Sequence, residues 1–265
     1  MLVLLIPCVI PLFLPLCIPF AIAAGAIQDT DPGSYEDWKS SEEEEDLFDE
    51  FFERGLEMNP VRASAIGDYR FNDQYANSLG PEHREKSRQM DEQFLARLLE
   101  IDREQLSRQD QLSYDIFRID REESLEGNQF PSHLQPINQF YSITNFFVQL
   151  GSGMSAHPFK SVKDYEDFLS RADDYSIIIY QVITNMQEGM RKGVTQQRIL
   201  MEKLQPQLDA HIVDDPKDSN FYAPVTNMPE EFSDEDRARL TAHLLARKVE
   251  VLDELGGAHD GPERV

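Results

Sequence analysis

From Leu47 onward the apolar residues recur every three to four positions, the period of a helix with one buried face. Leu47, Phe48, Phe51, Phe52 and Leu56 form the first such stripe, with acids on the opposite side. The Glu42–Glu45 run suits the positive end of that helix and reads as its solvated first turn. Residues 82–101 predict a second helix, with Met90, Phe94, Leu98 and Ile101 on one side. Ser107 followed by Asp110 resembles a capping box, in which the hydroxyl satisfies a free N–H at the helix start. That helix is expected to reach about Glu126, with Leu112, Ile116 and Ile119 inward and Gly127 as its stop. Ser161 and Asp164 repeat the cap and open a long helix carrying Tyr165, Phe168, Leu169, Ala172, Ile179, Val182, Ile183 and Met186, ended by Gly189. Residues 195–210 read as helix with Pro206 bending or ending it. Ser233 and Asp236 cap a last helix through Leu240, Leu244 and Leu255, before Gly256 and Gly257.

Strand signals are scarce. "SIIIY" (176–180) is rich in β-branched residues but falls inside a helical period, and the period decides. Residues 128–158 form the longest irregular stretch, a mixture of prolines, amides and aromatics of the kind that often carries function. The expectation is an all-α domain over 42–255, built of antiparallel helices with one long irregular loop, followed by a disordered tail at 256–265.

The stretch "NPVRASAIGDYRFND" (59–73) concentrates several signals. Asn59 precedes a proline, which disfavours helix at Asn59, while asparagine is a strong N-cap and proline suits the first helical position. A short helix over Pro60–Ile66 stopped by Gly67 follows, and with it a corner between two helices. Asp68, Arg70 and Asp73 remain, and an arginine between two acids either organises the turn by charge-assisted bonds or contacts substrate.

Composition changes the picture at two points. The formal charge of −24 repels phosphate and anionic lipid, which sets nucleic acid aside as a partner. The two cysteines, Cys8 and Cys17, lie in the apolar N-terminus, so the body has neither a disulfide scaffold nor a cysteine-rich zinc site. Residues 1–26 contain no charged side chain and end in Ala24-Gly25-Ala26, a small-x-small pattern that fits cleavage of an export signal. The prolines at 7, 11, 15 and 19 suit a kinked membrane anchor as the alternative, so a membrane is a partner only if this segment stays attached. Residues 27–41 are polar and turn-rich and read as a flexible lead-in. The expected location is periplasmic or extracellular.

Catalytic motifs are sparse. None of the six histidines is followed by Glu and no two are four apart, so H-E-x-x-H is missing from the chain. Asp209, His211 and Asp215 resemble an ordinary helix end more than a metal site. Ser155 and His157 in "GSGMSAH" lack the strand and the G-x-S-x-G context of a nucleophile elbow. No catalytic residue and no metal ligand is assigned.

The order of motifs nonetheless resembles a known family. "NPVRASAIGDYRFND" is followed by "LARLLEIDREQLSRQDQLSYDIFR" (95–118), "LQPINQF" (134–140) and "HPFKSVKDYEDFLSRADDY" (157–175). "MQEGMRKGVTQQRILMEKLQPQLD" (186–209) and "NFYAP" (220–224) complete the set. Together they resemble, from Asp46 to Leu255, the N-terminal half of the bacterial domain-of-unknown-function-885 proteins. The resemblance implies an exported, helical, zinc-dependent peptidase-like protein whose H-E-x-x-G-H-like metal helix lies in the C-terminal half. On that expectation the chain is an N-terminal part inactive alone, zinc belongs only to the C-terminal half, and a C-terminal half encoded downstream is a partner. The alternative is a complete exported helical binding or scaffold protein without catalysis. A peptide-like substrate makes the loop amides Gln135, Asn138, Gln139 and Asn145 candidate contacts beside Asp68 and Arg70, because amides pair with peptide backbone. The competing role for those amides is to bond their own irregular backbone.

Overall fold

The structure, a computed structural model, describes residues 42–213 and 215–259. The signal or anchor at 1–26, the lead-in at 27–41 and the last six residues of the expected tail lie outside the described residues. Nine α-helices and no strand occur among the described residues, so the all-α expectation holds. They are α1 (Glu42–Met58), α2 (Pro60–Ala65), α3 (Pro81–Leu98), α4 (Arg108–Gly127), α5 (Ile143–Leu150), α6 (Val162–Lys192), α7 (Arg198–Asp209), α8 (Ala223–Thr226) and α9 (Asp234–His259). None of the described helices is long and apolar enough to cross a membrane.

The expected caps form. Ser107 accepts from Asp110 N, and Ser161 and Asp164 make a reciprocal capping box. Several ends differ from the expectation. Gly189 does not stop α6; the helix runs to Lys192, and Gly193 takes the left-handed conformation at φ 72°. Pro206 sits inside α7 without ending it. α9 continues through Gly256 and Gly257 to His259. The stretch 128–158 is not all irregular, because Ser142 caps the eight-residue helix α5.

Two apolar clusters hold the fold. α1, α3 and α4 enclose Leu47, Phe94, Leu98 and Tyr114, bordered by Phe48, Phe51, Met90 and Phe117. α3 runs antiparallel to both neighbours: Arg97 and Arg54 reach Glu50 and Gln93 across α1–α3, and Asp91 takes Arg121 and Ser124 of α4. The second cluster joins α5, α6, α9 and the 220–228 segment through Phe147, Tyr165, Phe168, Tyr175, Ile179, Phe221, Leu240 and Leu244. The Phe147 ring stacks on Tyr175 with centroids 4.0 Å apart, and the Tyr175 and Tyr165 hydroxyls donate to Thr144 Oγ1 and Pro224 O. Gly151 is required here: a Cβ on it would lie 2.5 Å from both the Phe168 and Phe221 rings.

α4 corrects the sequence reading. Its inward residues are Asp110, Tyr114, Phe117 and Arg121, while Leu112, Ile116 and Ile119 are 54%, 53% and 45% exposed. The helical period was read correctly and its phase was wrong. Two polar groups take inward positions, Asp91 paired with Arg121 and Ser124, and Asp110 facing Glu44.

Glu44 is the second correction. It is buried instead of solvated, because it precedes Leu47 and Phe48 by three and four residues and shares their face. Among the described residues neither of its carboxylate oxygens has a hydrogen-bond partner, nor does Asp110 Oδ2. Burial first, and the Asp110 and Glu45 charges after it, push its carboxyl up to about 7. A carboxyl raised in this way stabilises the fold fully below its unfolded value near 4.5, and that contribution is lost as pH rises through about 7. Glu44→Gln removes the charge and offers Asp110 an N–H. It is expected to raise the melting midpoint at pH 8 by roughly 3 °C and to leave it unchanged at pH 4.5, read by calorimetry at both values.

Candidate functional site

The Asn59–Asp73 corner folds as its residues dictate. Asn59 Oδ1 accepts from Arg62 N at 3.1 Å, Pro60 opens α2, and Gly67 at φ 88° closes it. Gly67 N donates to Ser64 O and Asp68 N to Ala63 O, the paired bonds that end a helix through a left-handed glycine. Asp68 accepts from the Arg70 backbone N–H and from its guanidinium, which also reaches Glu53 of α1 at 2.8 Å. The Arg70 hydrogen bonds hold the Asp68 carboxyl below the usual carboxylate range. The pair therefore ties the turn to α1.

What fixes the corner in place is Arg171, which the sequence reading did not single out. It is fully buried on α6. Its Nε donates to Gln74 O at 3.0 Å and its Nη2 to Ser64 Oγ at 2.7 Å, Phe71 O at 3.2 Å and Pro60 O at 3.3 Å. Nη1 meets His157 Nδ1 at 2.9 Å. The direct partners are all neutral; Asp167, Asp73 and Asp174 compensate the charge from further away. Burial lowers the guanidinium to about 10, so it stays charged at neutral pH. A signal existed: Arg171 lies four residues before Tyr175 and seven before Ile178, on the face both bury.

His157 is consumed by this arrangement. Nε2 donates to Asp164 O at 2.7 Å and Nδ1 accepts from Arg171, which sets the tautomer and leaves neither nitrogen for Ser155. Burial first, with the Arg171 charge adding to it, pushes its imidazole down to about 4. A depressed histidine contributes stability above its unfolded value near 6.5, lost as pH falls toward 4.

With the corner pinned, a cleft of 610 Å³ opens between the α1–α2 junction, the loop before α3 and α6. Glu57, Pro60, Gln74, Tyr75, Asn77, His83, Lys86, Asp174 and Gln181 line it. Asp174 Oδ2 accepts from Tyr75 N at 2.8 Å, and burial raises its carboxyl above the usual carboxylate range. The Tyr75 hydroxyl is pushed up to about 12, again by burial. Asn77 Oδ1 is buried beneath the wall with no partner among the described residues, and Lys86 is drawn to Glu82 at 2.8 Å. His83 Nε2 lies 2.9 Å from Met58 O and donates to it. The wall is thus rich in acceptors. Its groups suit holding N–H donors and cations, and no nucleophile–base pair is assembled in it.

The sequence-predicted contacts lie elsewhere. Gln135 donates to Thr195 O, and Asn138 Oδ1 accepts from Phe140 N and Tyr141 N. Asn145 donates to Gln207 and its Oδ1 meets His211 Nε2 at 2.7 Å, while Gln207 reaches Gln139 O. Gln139 keeps a buried Oε1 with no partner among the described residues. None of these four amides, nor Asp68 or Arg70, lines the 610 Å³ cleft. Among the described residues no three side chains of His, Cys, Asp or Glu converge to hold a metal ion.

The architecture is that of an all-α protein with an acceptor-lined cleft beside a buried arginine. The family model described as "Bacterial protein of unknown function (DUF885)" matches residues 60–259, and the chain belongs to that family. No curated protein matches the chain. The match begins at Pro60 and takes in the corner, the cleft loop and Arg171.

Arg171→Met keeps an unbranched side chain and leaves the Gln74 carbonyl and His157 Nδ1 without their donor. Each unmade buried bond costs about 1–3 kcal/mol, so a loss of roughly 3 kcal/mol or more is expected in urea unfolding of the variant.

Proposed function

We propose that this chain forms the substrate-side wall of an exported, zinc-dependent peptidase-like protein of its family and has no catalysis of its own. The observation that carries the reading is the 610 Å³ cleft, whose acceptors include the Asp174 and Glu57 carboxylates. An extended peptide offers N–H donors along its backbone and an ammonium at its start, and both match such a wall. The metal chemistry belongs, on this reading, to a C-terminal half encoded downstream, with which the chain works as a pair. Export rests on the uncharged first 26 residues.

A second reading, an exported binding or scaffold protein without catalysis, is supported by the two apolar clusters that close within the described residues. The readings part on partnership: the first requires peptidase activity when both halves are mixed, the second gives none.

Both readings expect saturable binding of short unmodified peptides to the full chain, measured by isothermal titration calorimetry. Acetylating the peptide amino terminus, or replacing Asp174 by Asn, is expected to weaken binding about tenfold, equivalent to about 1.4 kcal/mol. Absence of binding for all peptides, or equal affinity for acetylated and free peptides, contradicts the assignment of the cleft.

A further inference from the structure

The outward face of α4 has a charge and apolar order that is complementary to itself. At about 100° per residue, Arg108, Leu112, Ile116, Ile119, Glu123 and Glu126 fall on one side of this helix, and all six are exposed. Along that side a cation comes first, then three branched apolar residues, then two acids. None of the three charged residues is in an ion pair among the described residues. The ion pairs that do occur on α4 lie off the stripe: Asp115 with Arg103 and Arg118 with Glu122 beside it, and Arg121 with Asp91 on the inward face.

We propose that this face is where a second copy of the chain docks, α4 against α4 in antiparallel orientation about a two-fold axis. An axis between Asp115 and Ile116 sets Leu112 of one copy against Ile119 of the other, with the two Ile116 side chains beside the axis. The same operation sets Arg108 of each copy against Glu123 of the other, with Glu126 one turn beyond. Every apolar position meets an apolar position, and the cation meets acids at both ends. A parallel arrangement would place Arg108 on Arg108 and the acids on the acids, so charge selects the antiparallel one. A two-fold interface uses one patch twice, as this geometry does. A single helix pair buries less than the roughly 1,200 Å² of a standard stable interface, so the dimer is weak and reversible.

Sedimentation velocity of the full chain from low micromolar to several hundred micromolar tests the proposal. The wild-type sedimentation coefficient is expected to climb with concentration toward a dimer. Arg108→Glu alone sets like charges against each other and flattens that climb, and Glu123→Arg alone does the same. Combining Arg108→Glu with Glu123→Arg restores opposite charges and brings the climb back. Ile116→Lys abolishes it. All three positions are solvent-facing, and unchanged circular dichroism and melting midpoints verify folding. A wild-type chain that stays monomeric throughout overturns the proposal. So does association that persists in both single charge variants, which would assign it to another surface, and so does a double variant that fails to recover.

Discussion

A guanidinium taken out of water without a carboxylate in contact must draw its stabilisation from neutral acceptors, and Arg171 does so from six. Its partners come from α2, from the 71–75 loop and from the loop ahead of α6. Those segments are short and have few ladder bonds of their own. The Gln74 carbonyl and His157 Nδ1 would lose their donor if the arginine were absent, and the arginine would be an uncompensated charge if these segments moved away. Each side therefore fixes the other. The Asn59 cap and the Gly67 stop shape the corner, but the guanidinium determines where on α6 it sits.

This hub lies beside the cleft. Gln74 and Tyr75 follow directly from the loop that Arg171 holds, and Asp174 is three residues along α6 from it. Asp174 reaches back to the Tyr75 amide, so one wall of the cleft is bonded to the same helix twice. The loop ahead of α3 is held in turn by Asn185, which donates to Leu79 O. Preorganised acceptors of this kind can bind a donor without first being ordered, which is the physical content of the peptide-binding reading. Two of the groups that burial shifts, Glu44 and His157, oppose each other. Glu44 favours the fold in acid and His157 favours it above neutrality, so their effects partly cancel between about 4 and 7.

Much of the helical framework was legible, because caps and period are local. Asn59, Ser107, Ser161 and Ser233 each start a helix where their hydroxyl or amide can meet a free N–H. The family was legible too, from the order of motifs that reaches across the chain. What failed was the phase and the fate of polar residues on buried faces. Leu112, Ile116 and Ile119 read as core because an apolar stripe normally turns inward, whereas α4 buries Asp110, Tyr114, Phe117 and Arg121. Gly189 read as a stop, yet it is a place of close approach, where a Cβ would lie 2.5 Å from Val194 O. The cleft escaped notice because it joins residues more than a hundred positions apart, and the amides that drew attention instead bond their own surroundings.

The central claim is that Arg171 holds the corner and the cleft wall as one unit. Native-state hydrogen exchange read by mass spectrometry, comparing the wild-type chain with Arg171→Met under conditions where both are folded, tests it most directly. The account predicts faster exchange confined to peptides covering 60–80 and 151–164, with the amides of α3 and α4 unchanged. Exchange that rises evenly over the whole chain, or does not rise at 60–80, would contradict it.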